Sequence, residues 1–336
     1  MNAAVIFGGA GFLGTSFAKK LIDEKIVNSV YICDIETIEQ KKSSYRESIK
    51  NEFIHEIYVD VREKIDLQID AEIKFIANFA AIHREPGHEE KEYFHTNLVG
   101  AENVCNWADQ VNCRLLIFSS SISIYGSSNN PKTEDTLPTP TSPYGISKII
   151  SENIHRFWHL NDTSRRLIII RPGVIYGAGE GGNLSRLVRS LKRRYFFYFN
   201  NKKIVKAGIY IEELCNMMCW SIKKIENIDD NLLLFNAVSE SPTYLEDYVS
   251  HINKIHRISA EPINLPFSLV LISSMIINSF SKVFPFNHPF DPVRVRKLIN
   301  SNNIVPKRLI ELGYKYEFTL REALFDWRKK NIEDWR

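Results

Sequence analysis

Short apolar runs alternate with helix-patterned stretches through the first half of the chain. The runs are Ala3 to Phe7, Ser29 to Cys33, Phe53 to Val59, Ile73 to Phe79, Leu115 to Ser119 and Leu167 to Ile170, with helices expected at about residues 12–25, 92–111 and 144–160. Such alternation predicts an α/β fold, a parallel sheet covered by helices on both faces. After Gly177 the order loosens, and Gly179, Gly181 and Gly182 mark a loop. Leu232 to Val238 again reads as a buried strand. The expected organisation is therefore a first domain over 1–178 to which the chain returns at 208–238, with a smaller C-terminal region made of 179–207 and 239–330.

Two stretches in that smaller region have two readings each. Leu265 to Ser281 is seventeen residues without a charge, marginally short for a membrane span and diluted by serines. It reads as a buried helix or as one lying in a membrane interface. Lys192, Arg193 and Arg194 precede Tyr195 to Phe199 and then Lys202, Lys203 and Lys206. This reads as a solvated helix end plus a core strand, or as a surface for anionic lipid head groups or a substrate diphosphate.

Composition narrows the class without naming a function. The 336 residues suit one large α/β unit or a main domain with a smaller appendage, and 44% hydrophobic with 25% charged residues is the balance of a soluble globular protein. A formal charge of +3 is too small to imply a nucleic-acid partner. The five cysteines are odd in number and lack C-x-x-C spacing, which fits a reduced, cytoplasmic setting. Met1 to Phe7 shows no export signal. His155 and His159 lie one helical turn apart without a third ligand, so no metal is expected.

The first strand runs into Gly8-Gly9-Ala10-Gly11-Phe12-Leu13-Gly14, a G-x-x-G-x-x-G turn that opens a helix. Glycine permits the tight turn and lets backbone N–H groups approach a pyrophosphate, and the helix N-terminus adds partial positive charge. Twenty residues after Gly14 the second strand ends in Asp34, whose carboxylate can accept from ribose hydroxyls and would repel a 2′-phosphate, which favours NAD over NADP. Asp60 and Val61, ending the third strand, are placed to flank the adenine. Ala80 and Ala81, ending the fourth, are small enough to let a dinucleotide cross the sheet edge.

Three further features converge: Ser119-Ser120-Ser121 at a strand end, Tyr125-Gly126 beyond it, and Tyr144-Gly145-Ile146-Ser147-Lys148 at a helix start. The Tyr-x-x-x-Lys spacing puts both side chains on one helix face, one turn apart. With the glycine turn, these residues resemble the extended short-chain dehydrogenase/reductase family, which contains nucleotide-sugar epimerases, dehydratases and reductases. The resemblance runs from Ala3 to about Trp327.

That resemblance implies a Rossmann-type doubly wound sheet and a C-terminal substrate-binding α/β region. It implies NAD as cofactor, Tyr144 as the base, Lys148 as holder of the nicotinamide ribose, and Ser121 as hydrogen-bond partner of the reacting sugar oxygen. A phenol titrates near ~10, and a neighbouring ammonium with the nicotinamide cation favours the phenolate. Family 4,6-dehydratases carry an Asp-Glu pair where this chain has Ile122 and Ser123, so dehydration is not expected.

Arg171-Pro172-Gly173-Val174-Ile175-Tyr176-Gly177, together with Ala80 to Arg84, resembles bacterial sugar 4-epimerases of surface-polysaccharide pathways. It implies a small-molecule sugar substrate on UDP or on polyprenyl diphosphate. His83, Ser123, Asn183, Lys206 and Arg294 would then face the sugar or its diphosphate, and Arg171 and Pro172 the cofactor. A homodimer goes with the same resemblance, and peripheral contact with the inner face of the cytoplasmic membrane goes with the interfacial reading of Leu265 to Ser281. A 4-keto-sugar reductase and a non-catalytic NAD-sensing scaffold are the competing readings.

Overall fold

From the N-terminus the chain forms β1 (Asn2–Phe7), α1 (Phe12–Asp23), β2 (Ser29–Asp34), β3 (Ile54–Tyr58), β4 (Glu72–Asn78), α2 (Glu90–Phe94), α3 (Gly100–Gln110), β5 (Leu115–Ser119), β6 (Ser128–Lys132), α4 (Pro143–Leu160), β7 (Arg166–Pro172) and β8 (Val174–Tyr176). It continues through α5 (Asn183–Lys192), β9 (Tyr198–Phe199), β10 (Gly208–Tyr210), α6 (Ile211–Lys224), β11 (Leu232–Ala237), α7 (Leu245–His256), β12 (Asn264–Leu265), β13 (Asn302–Ile304), α8 (Lys307–Glu311) and α9 (Leu320–Lys330). The computed structural model describes residues 2–41, 45, 48–49, 51–84, 87–199, 201–268, 272, 275 and 300–336. Arg294 and most of the 265–281 stretch lie outside these residues.

Among the described residues seven strands make one sheet in the order β11-β7-β5-β4-β1-β2-β3, parallel throughout. All seven apolar runs named above fall in it. Period-two alternation sends neighbouring side chains to opposite faces. Ala4 and Ile6 of β1 enter one core with Phe17 of α1 and Leu214 of α6. Val5 and Phe7 enter the other with Trp107 of α3 and Trp158 of α4. Phe7 meets Trp107 edge to face at 5.4 Å. Because both faces are covered, the inner strands are apolar along most of their length, whereas β3, at the sheet edge, carries His55, Glu56 and the exposed Tyr58.

The winding reverses at β1. The chain lays β2 and β3 on one side and returns with β4 on the other, so a crevice opens beyond the C-terminal ends of β1 and β4, where dinucleotides bind in open α/β sheets. The helix expected over 92–111 is not continuous: α2 passes through a π-helical turn at His95–Val99 before α3 begins. That turn carries buried Asn97.

Short parallel pairs build the outer region: β8 with β10, β9 with β12, and β6 with β13. The C-terminus closes over it. Trp327 and Trp335 are buried, and Asp334 accepts from Trp327 Nε1 (2.8 Å) and from Gly179 N (3.0 Å), tying the chain end to the glycine loop. Buried Glu213 accepts from Tyr314 Oη, Glu317 N and Phe318 N at 2.5, 2.9 and 2.8 Å, which clamps that segment to α6. No helix among the described residues is long and apolar enough to cross a membrane.

Candidate active site

The glycine turn is shaped by close packing. Gly8 has φ +73°, and a Cβ there would lie 2.5 Å from Ala80 N; a Cβ on Gly14 would lie 2.5 Å from Gly9 Cα. The turn is strung to β2 by Gly8 N and Gly9 N donating to Cys33 O (2.8 and 3.3 Å) and by Ala10 N donating to Asp34 Oδ2 (3.1 Å). Gly11, the N-cap of α1, offers no side-chain cap, and a Cβ there would meet only Gly8 O, at 3.2 Å. A backbone cradle at an uncapped helix start, closed on its protein side and open at Gly11, fits a dinucleotide pyrophosphate.

Asp34 has two tasks at the end of β2. One oxygen holds the glycine turn, and the other stands 3.8 Å from Lys41 Nζ, a neighbour the sequence reading passed over. Asp60 is paired with Arg62, which donates through Nε at 2.9 Å and Nη2 at 2.5 Å and, chiefly by those bonds, holds the carboxyl below its ordinary range. Beside it, Val61 packs on α3 at Gly100, where a Cβ would lie 2.8 Å from Val61 Cγ2.

The serine run and the Tyr-Lys helix meet at a second glycine. Ser121 opens a 3₁₀ turn at Ile122–Tyr125; its Oγ accepts from Ser123 N (3.1 Å) and donates to Ser123 Oγ (3.0 Å). Helix α4 begins with Ser142 capping Gly145 N at 3.2 Å and Pro143 in the first turn, where a missing N–H costs nothing. A Cβ on Gly145 would stand 2.7 Å from Ser123 O, so the helix start lies flush on the serine turn. Tyr144, half-buried, stands at this junction, its ring 6.5 Å from that of Tyr93. Tyr93 Oη donates to Arg84 O and so anchors the loop that carries His83.

One turn on, Lys148 is 2% exposed, with Nζ 4.3 Å from the Phe118 ring centroid. Burial pulls its ammonium down to about 7, against the opposing charge of Glu152. Glu152 is itself buried and gripped by Arg171, whose Nε and Nη2 donate at 2.9 and 2.7 Å. Arg171 Nη1 also donates to Tyr125 Oη (2.6 Å), which donates to Asn236 Oδ1 (2.9 Å). The guanidinium expected beside the cofactor is thus spent on a buried chain of bonds beneath Lys148, and Pro172, next to it on β7, is buried opposite Ala237 of β11.

Other residues enter the site unannounced. Asn97 Nδ2 donates to Ser147 Oγ (2.8 Å) and its Oδ1 accepts from Ile82 N (2.9 Å), so the π turn joins α4 to the strand-end loop behind Ala80 and Ala81. His155 donates through Nδ1 to Ser151 O (2.7 Å), and its Nε2 faces Asn78 Nδ2 at 3.3 Å. Burial pushes this imidazole down to about 4. His159 bonds Arg165 O instead, so the two histidines do not converge on one point. No sequence motif marks Asn97 or Asn78; only the fold brings them to α4.

The expected substrate residues that are described lie on separate elements, His83 after β4, Asn183 at the start of α5 and Lys206 before β10. His83 is exposed, its imidazole held below the ordinary value by surrounding protein and by the charges of Arg84 and Lys148. Asn183, the first residue of α5, accepts from Arg186 Nη2 at 2.6 Å. Lys206 Nζ donates to Asn300 O (2.8 Å), and burial draws it down to about 8.

A doubly wound sheet with a glycine cradle at its switch point and a Ser-Tyr-Lys junction beside it defines an extended short-chain dehydrogenase/reductase. The chain belongs to the NAD dependent epimerase/dehydratase family, whose profile matches residues 4–235. NAD is accordingly its cofactor.

Over 322 residues the chain is 23% identical to the N-acetyl-alpha-D-glucosaminyl-diphospho-ditrans,octacis-undecaprenol 4-epimerase of Escherichia coli O157:H7, covering 95% of this chain and 92% of that one. It is 29% identical to the UDP-glucose 4-epimerase of Lactobacillus helveticus over 54% of each chain. Its fold is shared with UDP-glucuronic acid 4-epimerase from Bacillus cereus in complex with NAD (TM-score 0.72, 16% identity, 99% of this chain and 100% of that one). The UDP-glucose 4-epimerase from Bifidobacterium longum in complex with NAD+ and UDP gives a TM-score of 0.70 at 21% identity, with 99% of each chain covered.

Proposed function

We propose that this enzyme inverts C4 of a hexose or N-acetylhexosamine carried on a diphosphate, through a transient 4-keto sugar, with the sugar on polyprenyl diphosphate as the favoured substrate and UDP-sugars as the alternative. The observation that carries the reading is the serine turn. Beside Ser121 stand buried Ile122 and Ser123, whose hydroxyl bonds Ser121, and neither supplies the acid that elimination needs. A site with one base and no such acid can oxidise and re-reduce a carbinol without expelling a neighbouring group. The match along 92% of an enzyme acting on a lipid-linked sugar supports the carrier.

In this reading Tyr144 takes the C4 hydroxyl proton and later returns it, and Ser121 holds the C4 oxygen in both directions. Lys148 holds the nicotinamide ribose and keeps positive charge beside the phenol. Bound NAD supplies hydride acceptance and donation at C4. The Glu152–Arg171 pair and Asn97 fix the backbone of α4, so that Tyr144 and Lys148 keep their places through the cycle.

Purified protein incubated without added reductant should interconvert two C4 epimers of N-acetylhexosaminyl-diphospho-polyprenol. Net NADH consumption with a keto-sugar requirement would instead identify a reductase. A cytoplasmic setting at the inner membrane face goes with this reading. So does a homodimer, which the exposed Phe157 and Leu160 on α4 support and sedimentation would test.

A further inference from the structure

We propose that the face formed by the end of α5 and the β9–β12 pair is the surface by which this protein lies on an anionic lipid bilayer. The inference rests on the lipid-linked substrate reading and adds how the enzyme reaches such a substrate. It begins with charge. Residues 183–206 contain eight basic side chains and no acidic one, in a chain whose formal charge is only +3.

Five of the eight, Arg186, Lys192, Arg193, Arg194 and Lys203, are exposed. Helix α5 buries Ser185, Val188 and Leu191 and ends in Lys192, Arg193 and Arg194, all exposed. Arg194, at φ +59°, reverses the chain, held by Arg194 N donating to Leu191 O (3.0 Å) and Tyr195 N to Ser190 O (3.1 Å). Tyr195 is left 53% exposed beside the cations. A phenol with one wet end and one apolar face suits a head-group boundary.

An apolar side chain is delivered to the same place. β9 pairs with β12, and Tyr198 N donates to Ile263 O (2.9 Å), so the strand after the cationic run is bonded to the start of the uncharged stretch. Ile263, at the start of that pairing, is 64% exposed. The carboxylate of Glu261 reaches Lys202 at 3.9 Å, and Lys203 beyond it is exposed.

Neither half of the patch suffices alone, since scattered apolar residues and solvated lysines are ordinary on surfaces. Together they supply the two signals that stable peripheral attachment takes, attraction to anionic lipid and shallow apolar insertion. The geometry also suits the chemistry. The ten residues of α5 span roughly 15 Å, from Asn183, proposed near the diphosphate, to the cations at its far end. A lipid tail that stays in the bilayer then leaves its diphosphate within reach of the site.

The test is sedimentation of the full chain with vesicles of phosphatidylcholine alone or mixed equally with phosphatidylglycerol. The parent should pellet with the mixed vesicles, and added salt should weaken the binding. Lys192→Glu, Arg193→Glu and Arg194→Glu together should lower partitioning on the order of 100-fold. Ile263→Asn should weaken what binding survives in high salt. Both variants should keep the melting temperature and the turnover of detergent-solubilised substrate. Equal binding to both vesicle types, or a triple variant that binds like the parent, overturns the proposal. Failure of the substrate reading would look different, as no turnover in detergent while vesicle binding persists.

Discussion

At the residue scale, the proposed chemistry falls on one phenol and one buried amine. Tyr144→Phe removes the base and leaves the ring, so it should lower turnover by roughly 10²–10⁴-fold while bound NAD and thermal stability stay as in the parent. Equal turnover would exclude Tyr144 as the base. Lys148 makes a prediction of its own. Its folded value of about 7 lies below the ordinary 10.5, so between those values the unfolded chain holds a proton that the folded chain has lost. The destabilisation is therefore full below pH 7 and fades as pH rises towards 10.5. Lys148→Met, without dinucleotide, should melt higher than the parent at neutral pH, with the gain shrinking in alkali. A gain that does not vary with pH would contradict the assignment.

At the element scale, the proposed mechanism depends on how α4 is seated. The sequence supplies Ser142, Pro143 and the Tyr-x-x-x-Lys spacing, all legible because capping and helical period are local. It does not show that Gly145 lies against Ser123 O, since that contact joins segments twenty residues apart. Gly145→Val should force the helix start away from the serine turn and cut kcat by about 100-fold, with NAD affinity changed only a few-fold. Loss of NAD with kcat intact on reloading would contradict this. The π turn at Asn97 and the Glu152–Arg171 pair escaped the sequence reading for the same reason. A helix pattern does not announce one extra residue per turn, and an arginine at a strand end looks the same whether it meets a ligand or a buried carboxylate.

At the scale of the whole molecule, the sheet was the most legible feature. The inner strands, buried on both faces, carry their signal in composition alone, and the glycine turn marks the end of the sheet at which the proposed site lies. The outer region was less legible because all its strands but β6 are two or three residues long, too short to show a period, and take their partners from distant parts of the chain. In the proposed reading substrate choice resides there, which is why fold, cofactor and the proposed catalytic trio could be read earlier than the carrier.

The central claim is that hydride leaves C4 and comes back to C4 within one binding event. It is tested most directly with N-acetylglucosaminyl-diphospho-polyprenol deuterated at C4, incubated in ordinary water with enzyme and no reductant. The account predicts two C4 epimers, both still deuterated, and no net change in NADH. A single unchanged sugar, or a second epimer that has lost its deuterium, would contradict it.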